Sequence, residues 1–224
     1  MKKKCFVIGG GASLRNFNWE QLRGKDTIVT NMAIFYVPKP KYFVTVDYTF
    51  YLKLKPEQKE IFDTDLETTK IFVADMSLGT PLVEKDGRIR DPRFGLIYDL
   101  QPYDLIVKAI GKGGFGYTFG DFRTGINSGY CALQAAIALG YEEIYLLGYD
   151  LKASEQTHFH DQYGTNVDVF RERIERYYNY FESGIKQLVQ DNKVTLYSAN
   201  PNSRLNDLIP AMSFGAAENL YNHE

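Results

Sequence analysis

Short, uninterrupted apolar runs alternate with polar, helix-forming stretches along most of this chain. Cys5–Ile8, Thr27–Thr30, Tyr42–Val46 and Lys70–Val73 are contiguous rather than alternating apolar segments. That is the pattern of strands covered on both faces. Between them fall a brief helix around Trp19 to Arg23 and a second, opened by Pro56 and running to Phe62. The clearest unit comes later. Asn127-Ser128-Gly129 opens an alanine-rich helix that stops at Gly140, and a buried strand follows that ends in Gly148-Tyr149-Asp150. Lys152 to Asp168 is polar and without apolar period, which predicts a long loop of the kind that serves as a lid. Asp168 then caps an amphipathic helix running to about Gln190, with Phe170, Ile174, Phe181, Ile185 and Leu188 near one face. Val194–Tyr197 is a last strand, and Pro201 to Leu205 opens a short helix.

One span breaks the rhythm. Ser77 to Arg123 holds Pro81, Pro92, Pro102 and the glycine cluster Gly111 to Gly116. It reads as an irregular insertion or hairpin region, with β-like pieces such as Leu105-Ile106-Val107. Elsewhere the alternation of strand and helix signals predicts a single α/β domain with a mostly parallel sheet and helices on both faces. No internal repeat or low-complexity tract is present.

Length and charge narrow the field. The 224 residues suffice for one sizeable core, and a formal charge of −2 provides no global basic field for nucleic acid. Lys2 to Lys4 form a short basic run, read as a solvated end. Cys5 and Cys131 lack any CxxC or Cys/His neighbourhood, so they read as buried free thiols of a reducing compartment. No apolar run approaches the roughly 20 residues of a spanning helix, and no signal peptide is visible. A cytoplasmic protein is expected, at most peripheral to the inner membrane, with homo-oligomers compatible. The 17 tyrosines suit a site for sugars or bases, as well as ordinary core and rim positions.

The strand ends carry the chemistry. Gly9-Gly10-Gly11-Ala12-Ser13 follows the first strand, where glycines turn the chain and admit a ligand to the backbone while Ser13 offers a hydroxyl. It has neither the GxGxxG spacing nor the lysine of a P-loop. Asn31 and Asp47 end the second and third strands. Each alone reads as a cap or turn residue, but the topology gathers them around one crevice outside the carboxyl ends of the strands. Asn127, Ser128 and Gly129 open a helix whose free N–H groups make an anion site, though a plain N-cap explains Asn127 or Ser128 equally. His158 and His160, within Thr157-His158-Phe159-His160-Asp161, are two of three histidines in the chain. A lid histidine is a ready general base, while HxH with Asp161 is also a metal-ligand spacing. Asp63-Thr64-Asp65 matches a DxD pattern but lies at the end of a charged helix, and is read as chance.

These residues together resemble the Campylobacter-type sialyltransferases, glycosyltransferase family 42, and the wider set of DUF115-like proteins. That set includes motility accessory factor glycosyltransferases and archaeal hydroxymethylpterin pyrophosphokinases. The match is carried by Gly9 to Leu14, by Asn31, by Ser128 to Leu146, by Gly148-Tyr149-Asp150, and by Leu196-Tyr197 with Pro201-Asn202-Ser203. The resemblance implies a Rossmann-like domain with a lid and metal-independent transfer from a nucleotide-activated, sialic-acid-like sugar to a hydroxyl acceptor such as a glycan. No cofactor is implied beyond the donor. It also implies that Gly10, Gly11, Ser13, Asn31, Asn127, Ser128 and Gly129 line a cytidine-monophosphate-sugar site, with Asp47 and Asp150 beside it and His158 or His160 as base. The two tyrosines that steady the leaving phosphate in the family have no clean equivalents here, Tyr149 and Tyr163 being the candidates. The chain departs from the family in Gly10 and Asp47, where asparagines are usual, and in Gly125, where an arginine is usual and only Arg123 is near. The same resemblance admits two alternatives: a pyrophosphokinase using Mg²⁺ and ATP through Asp47, Asp75 and Asp150, and a nucleotide-binding protein without activity.

Overall fold

The structure, a computed structural model, describes residues 2–75, 82–83, 89–91, 96–98, 102–153, 156–162 and 166–223. Seven strands form one parallel sheet: β1 (Lys4–Ile8), β2 (Thr27–Thr30), β3 (Tyr42–Thr45), β4 (Thr69–Asp75), β8 (Leu105–Ala109), β9 (Glu143–Leu147) and β10 (Thr195–Ser198). Their order is β10-β9-β1-β2-β3-β4-β8, with every neighbouring pair parallel. Sequential strands run outward from β1 in one direction, and the chain then returns to lay β9 on its other side. The order reverses between β1 and β9. In open α/β sheets this switch point leaves a crevice beyond the strands' carboxyl ends.

Alternation along the central strand builds two cores. Cys5 and Val7 face α2 (Ser128–Ala138) and α3 (Val167–Asp191), while Phe6 and Ile8 face α4 (Phe214–Asn222) and several 3₁₀ turns. Residues Cys5 to Ile8 are all fully buried, which explains why the strand reads as an unbroken apolar run. On α3 the stripe Phe170, Ile174, Tyr178, Phe181, Ile185 and Leu188 is buried at helical spacing. The short α1 (Pro56–Thr64) starts on Pro56, as expected, and anchors Phe62 in the second core.

Several expectations change. The span read as an insertion gives β8 to the main sheet, paired along β4 from Ile71–Leu105 to Asp75–Ala109. β8 is an edge strand with Leu105 and Lys108 exposed, so it lacks the apolar run that marks the buried strands. Within the same span, β5 (Leu82–Val83), β6 (Ile89–Asp91) and β7 (Leu96–Tyr98) form a separate antiparallel sheet. Asn166, not Asp168, caps α3, its Oδ1 accepting from the amides of Asp168 and Val169. The lysines at the start are not merely solvated. Lys3 Nζ donates to Leu139 O at the end of α2, and Lys4 Nζ donates to Leu220 O and His223 O at the end of α4, where cations meet the helix dipole favourably. Both cysteines are free and buried. No helix among the described residues is long and apolar enough to cross a membrane.

Candidate functional site

A cavity of about 120 Å³ opens at the β1/β9 switch point. One buried water needs roughly 10–15 Å³, so this space is sized for a ligand group and not for a stray solvent molecule. Its walls come from the loop after β1, the end of β2 with the turn that follows, the start of α2, the loop after β9, and the segment around His158 with one face of α3.

The loops after β1 and β9 are laced together. Gly9 N donates to Leu147 O and Gly11 N to Gly148 O, both at 2.8 Å. A Cβ on Gly9 would lie 2.6 Å from Gly148 O, and one on Gly11 would lie 2.5 Å from Asp150 Oδ1. These glycines are therefore required by the close approach of two backbones. Asp150 completes the clasp, accepting from Ser13 N at 2.8 Å, Ser13 Oγ at 2.5 Å and Asn200 Nδ2 at 2.8 Å. Gly10 differs from its neighbours. The nearest atom to a Cβ placed there is His158 Cδ2, at 3.3 Å, so the histidine segment lies directly over it.

Opposite this loop stands the start of α2. Asn127 is its N-cap, and Oδ1 accepts from Tyr130 N at 3.1 Å. Ser128 Oγ accepts from Val46 N at 3.2 Å, pinning the helix start to the end of β3. The amides of Ser128 and Gly129 make no hydrogen bond among the described residues. Both residues line the cavity at the positive end of an 11-residue helix, an arrangement chemically suited to an anion. The backbone around it is held in uncommon shapes: Asn31, Ile126 and Leu151 all take positive φ, at 47°, 51° and 49°. A β-branched residue such as Ile126 is strained there, and it directly precedes the N-cap.

The lid segment carries the titratable groups. Phe159 N donates to Gly10 O at 3.2 Å. His158 Nδ1 lies 3.0 Å from Thr157 Oγ1, and His160 Nδ1 accepts from Gln162 N at 3.3 Å. The two imidazoles stack with centroids 5.5 Å apart. Burial, with the neighbouring His160, pulls the His158 pKa down to about 4. Burial does the same to His160, against a weak opposing pull from Asp161. Both rings are neutral at pH 7.

Most residues expected from the sequence meet here. Gly10, Gly11, Asn31, Asn127, Ser128, Gly129, Tyr149, Asp150, His158 and His160 all line the cavity. Two have particular partners. Asn31 Oδ1 accepts from Thr45 Oγ1, which turns its NH₂ to donor duty. Tyr149 OH donates to Gly129 O at 2.8 Å, bracing the helix start from beneath, and burial raises its pKa well above the usual value. Ser13 is absent from the lining and acts through Asp150. Asp47 is also absent from it. Its Oδ1 accepts from Thr49 N and Thr49 Oγ1, closing its own turn. Tyr163 and the side chain of Asp75 lie outside the described residues. Asp63 accepts from Tyr51 OH and Asp65 from the amides of Glu67 and Thr68, and neither lines this cavity. Among the described residues no three His, Cys, Asp or Glu side chains gather as a metal cluster.

Tyr177 and Lys152 are among the lining residues that escape sequence reasoning. Tyr177 belongs to the stripe Phe170, Ile174, Tyr177, Phe181 on the cavity side of α3, a helical spacing that could have flagged it. Burial raises its pKa, and Arg173 and Arg176 hold the rise in check. Lys152 brings an exposed cation to the mouth and carries no sequence signal at all.

No protein-family model matches the chain, and no curated protein matches it in sequence. Its fold has counterparts among solved structures. The sialyltransferase CstII from Campylobacter jejuni, in complex with the substrate analogue CMP-3FNeuAc, matches with a TM-score of 0.52 at 19% identity, covering 94% of this chain and 86% of that one. A variant of CST-II in complex with CMP gives 0.53 at 19% identity, over 93% and 86%. Monomeric CstII gives 0.52 at 20% identity, over 92% and 85%. The chain thus has the Rossmann-like α/β fold of these sialyltransferases over nearly its whole length.

Proposed function

We propose that this chain is a glycosyltransferase that takes a sialic-acid-like sugar from a nucleotide-activated donor, linked to cytidine monophosphate, and delivers it to a hydroxyl acceptor such as a glycan. One observation carries the reading. The open amides of Ser128 and Gly129, the glycine loop and two neutral histidines converge on a single cavity at the sheet's switch point. The fold-mates bind CMP and a CMP-sugar analogue. The donor's phosphate would sit on the two amides, and Asn31 would meet the base or ribose through its NH₂. Two buried free thiols support placement in the cytoplasm.

The reaction is a single displacement, with no nucleophile on the protein and no metal in the step. The acceptor oxygen attacks the anomeric carbon while the bond from that carbon to the phosphate oxygen breaks. A histidine takes the acceptor's proton, and the amides at the α2 start stabilise the departing phosphate. His158 suits the base role better than His160. His160 Nδ1 accepts from a backbone N–H, so in the neutral ring its proton sits on Nε2 and that nitrogen is a donor. On His158 the Nδ1 partner is a hydroxyl, Thr157 Oγ1, which can accept as well as donate, so this ring can carry its proton on Nδ1 and its basic lone pair on Nε2. A ring with pKa about 4 is a weak base. A bound anionic donor favours the imidazolium and raises it toward the working range, so base strength develops with the substrate in place.

The test is release of nucleoside monophosphate from a panel of cytidine- and uridine-linked sugars, with a hydroxyl acceptor and a chelator present. Transfer from a cytidine-linked donor that His158→Asn abolishes supports the reading. Absence of transfer and of any nucleotide-induced thermal shift overturns it. Activity that instead needs Mg²⁺ and ATP would favour the pyrophosphokinase chemistry.

A further inference from the structure

Between the two histidines stands a side chain that this chemistry does not use. Phe159 is buried, and its ring lies edge-on to Tyr36 at 5.0 Å, tilted on Trp19 at 5.2 Å and edge-on to His160 at 4.9 Å. Trp19 opens a 3₁₀ turn (Trp19–Leu22) after β1, and Tyr36 caps another (Asn31–Phe35) after β2. Phe159 therefore bridges the exits of two strands. The triplet His-Phe-His sends its apolar member into this rim box and stacks its two imidazoles on each other at the cavity wall. His158 also lies tilted on Phe170 of α3, at 5.2 Å. Two further side-chain ties of this segment to the body are Arg15–Asp161 at 3.2 Å and Gln58–Gln162 at 3.3 Å. Both are exposed, and such pairs contribute little.

We propose that Phe159 is a positioning residue: locked between Trp19 and Tyr36, it holds the segment 157–161 down on the glycine loop and thereby sets His158 and His160 against the donor site. Its kinetic consequence rests on the glycosyltransferase reading, whereas the latch itself rests on the packing. An aromatic plug and the backbone bond from Phe159 N to Gly10 O thus act together at the centre of the lid.

The molecule supplies its own reporter, because Trp19 is the one tryptophan in the chain and touches Phe159. In Phe159→Ala, Trp19 emission is expected to shift to the red, and the histidine resonances are expected to titrate closer to the ordinary value of about 6.5 than to about 4. kcat is expected to fall roughly 10- to 100-fold through misplacement of the base, while CMP affinity changes less than about threefold. The acid limb of the pH–rate profile moves with the histidines. Phe159→Leu, which refills the box, recovers most of each effect and guards against a folding defect in the alanine variant. Arg15→Ala leaves emission and titration unchanged. Unchanged emission and titration in Phe159→Ala would overturn the proposal whatever the activity. Altered emission with kcat and pH profile intact would reduce Phe159 to simple packing, and overturn it equally. If the wild-type protein transfers no sugar, the functional reading fails by itself and the latch is judged on the two spectroscopic signals.

Discussion

Replacing Ser128 by proline removes one proposed phosphate donor while asking almost nothing of the fold. Ser128 is the first residue of α2, where proline is well tolerated because its missing N–H has no helical partner. The preceding Asn127 sits at φ −147°, ψ 131°, in the extended region to which a residue before proline is driven. What proline takes away is the amide that faces the cavity, together with the hydroxyl that accepts from Val46 N. Ser128→Ala removes only the hydroxyl and serves as reference. A hydrogen bond to a charged group contributes about 1.5–3 kcal/mol. At about 1.4 kcal/mol per tenfold, Ser128→Pro should bind CMP roughly 10- to 150-fold more weakly than Ser128→Ala. Cytidine lacks the phosphate, so its affinity should be the same in both variants. Titration calorimetry with CMP and with cytidine reads the difference directly, and circular dichroism confirms the helix. Equal CMP affinity in the proline and alanine variants, both folded, would refute the placement of the phosphate on this helix.

Other consequences follow from the same geometry. Asp150→Ala removes the acceptor of three hydrogen bonds that join the loops after β1, β9 and β10. The loss of about 2–4 kcal/mol should lower Tm by roughly 5–15 °C for a domain of this size, and a shift under about 2 °C would dismiss the clasp. The lid histidines should make the protein acid-sensitive. Their folded pKa near 4 lies below the unfolded value of about 6.5, so the unfolded chain binds more protons between the two. Their contribution is therefore intact above pH 6.5 and shrinks as pH falls toward 4, by at most about 1.4 kcal/mol per pH unit for each ring. Urea midpoints measured against pH for the wild type and a His158→Asn, His160→Asn variant should converge on acidification, and parallel curves would contradict the burial argument.

What the sequence made legible follows from where each element lies. β1, β2 and β3 are covered on both sides, so their residues form apolar runs whose ends, at Gly9, Asn31 and Asp47, were readable as strand exits. The unit from Asn127 through Gly140 to Asp150 was readable because cap, helix, stop and strand are contiguous, and Asn127 and Gly140 do the cap and stop work expected of them. β8 was hidden by its edge position, since only Val107 and Ala109 of that strand are buried. The clasp made by Asp150 was not legible because its hydrogen-bond partners are distant in sequence, Ser13 by 137 positions and Asn200 by 50. Phe159 was passed over for a related reason. A single aromatic inside a polar segment has no period, and its box is built from turns more than a hundred residues earlier.

The central claim is that one cavity, bounded by the glycine loop and the start of α2, receives the nucleotide's phosphate. A crystal structure of the protein with CMP tests it most directly. The account predicts phosphate oxygens about 2.7–3.2 Å from the amides of Ser128 and Gly129, with the histidine segment closed over them. A phosphate bound away from these amides, or a cavity still empty at saturating CMP, would contradict it.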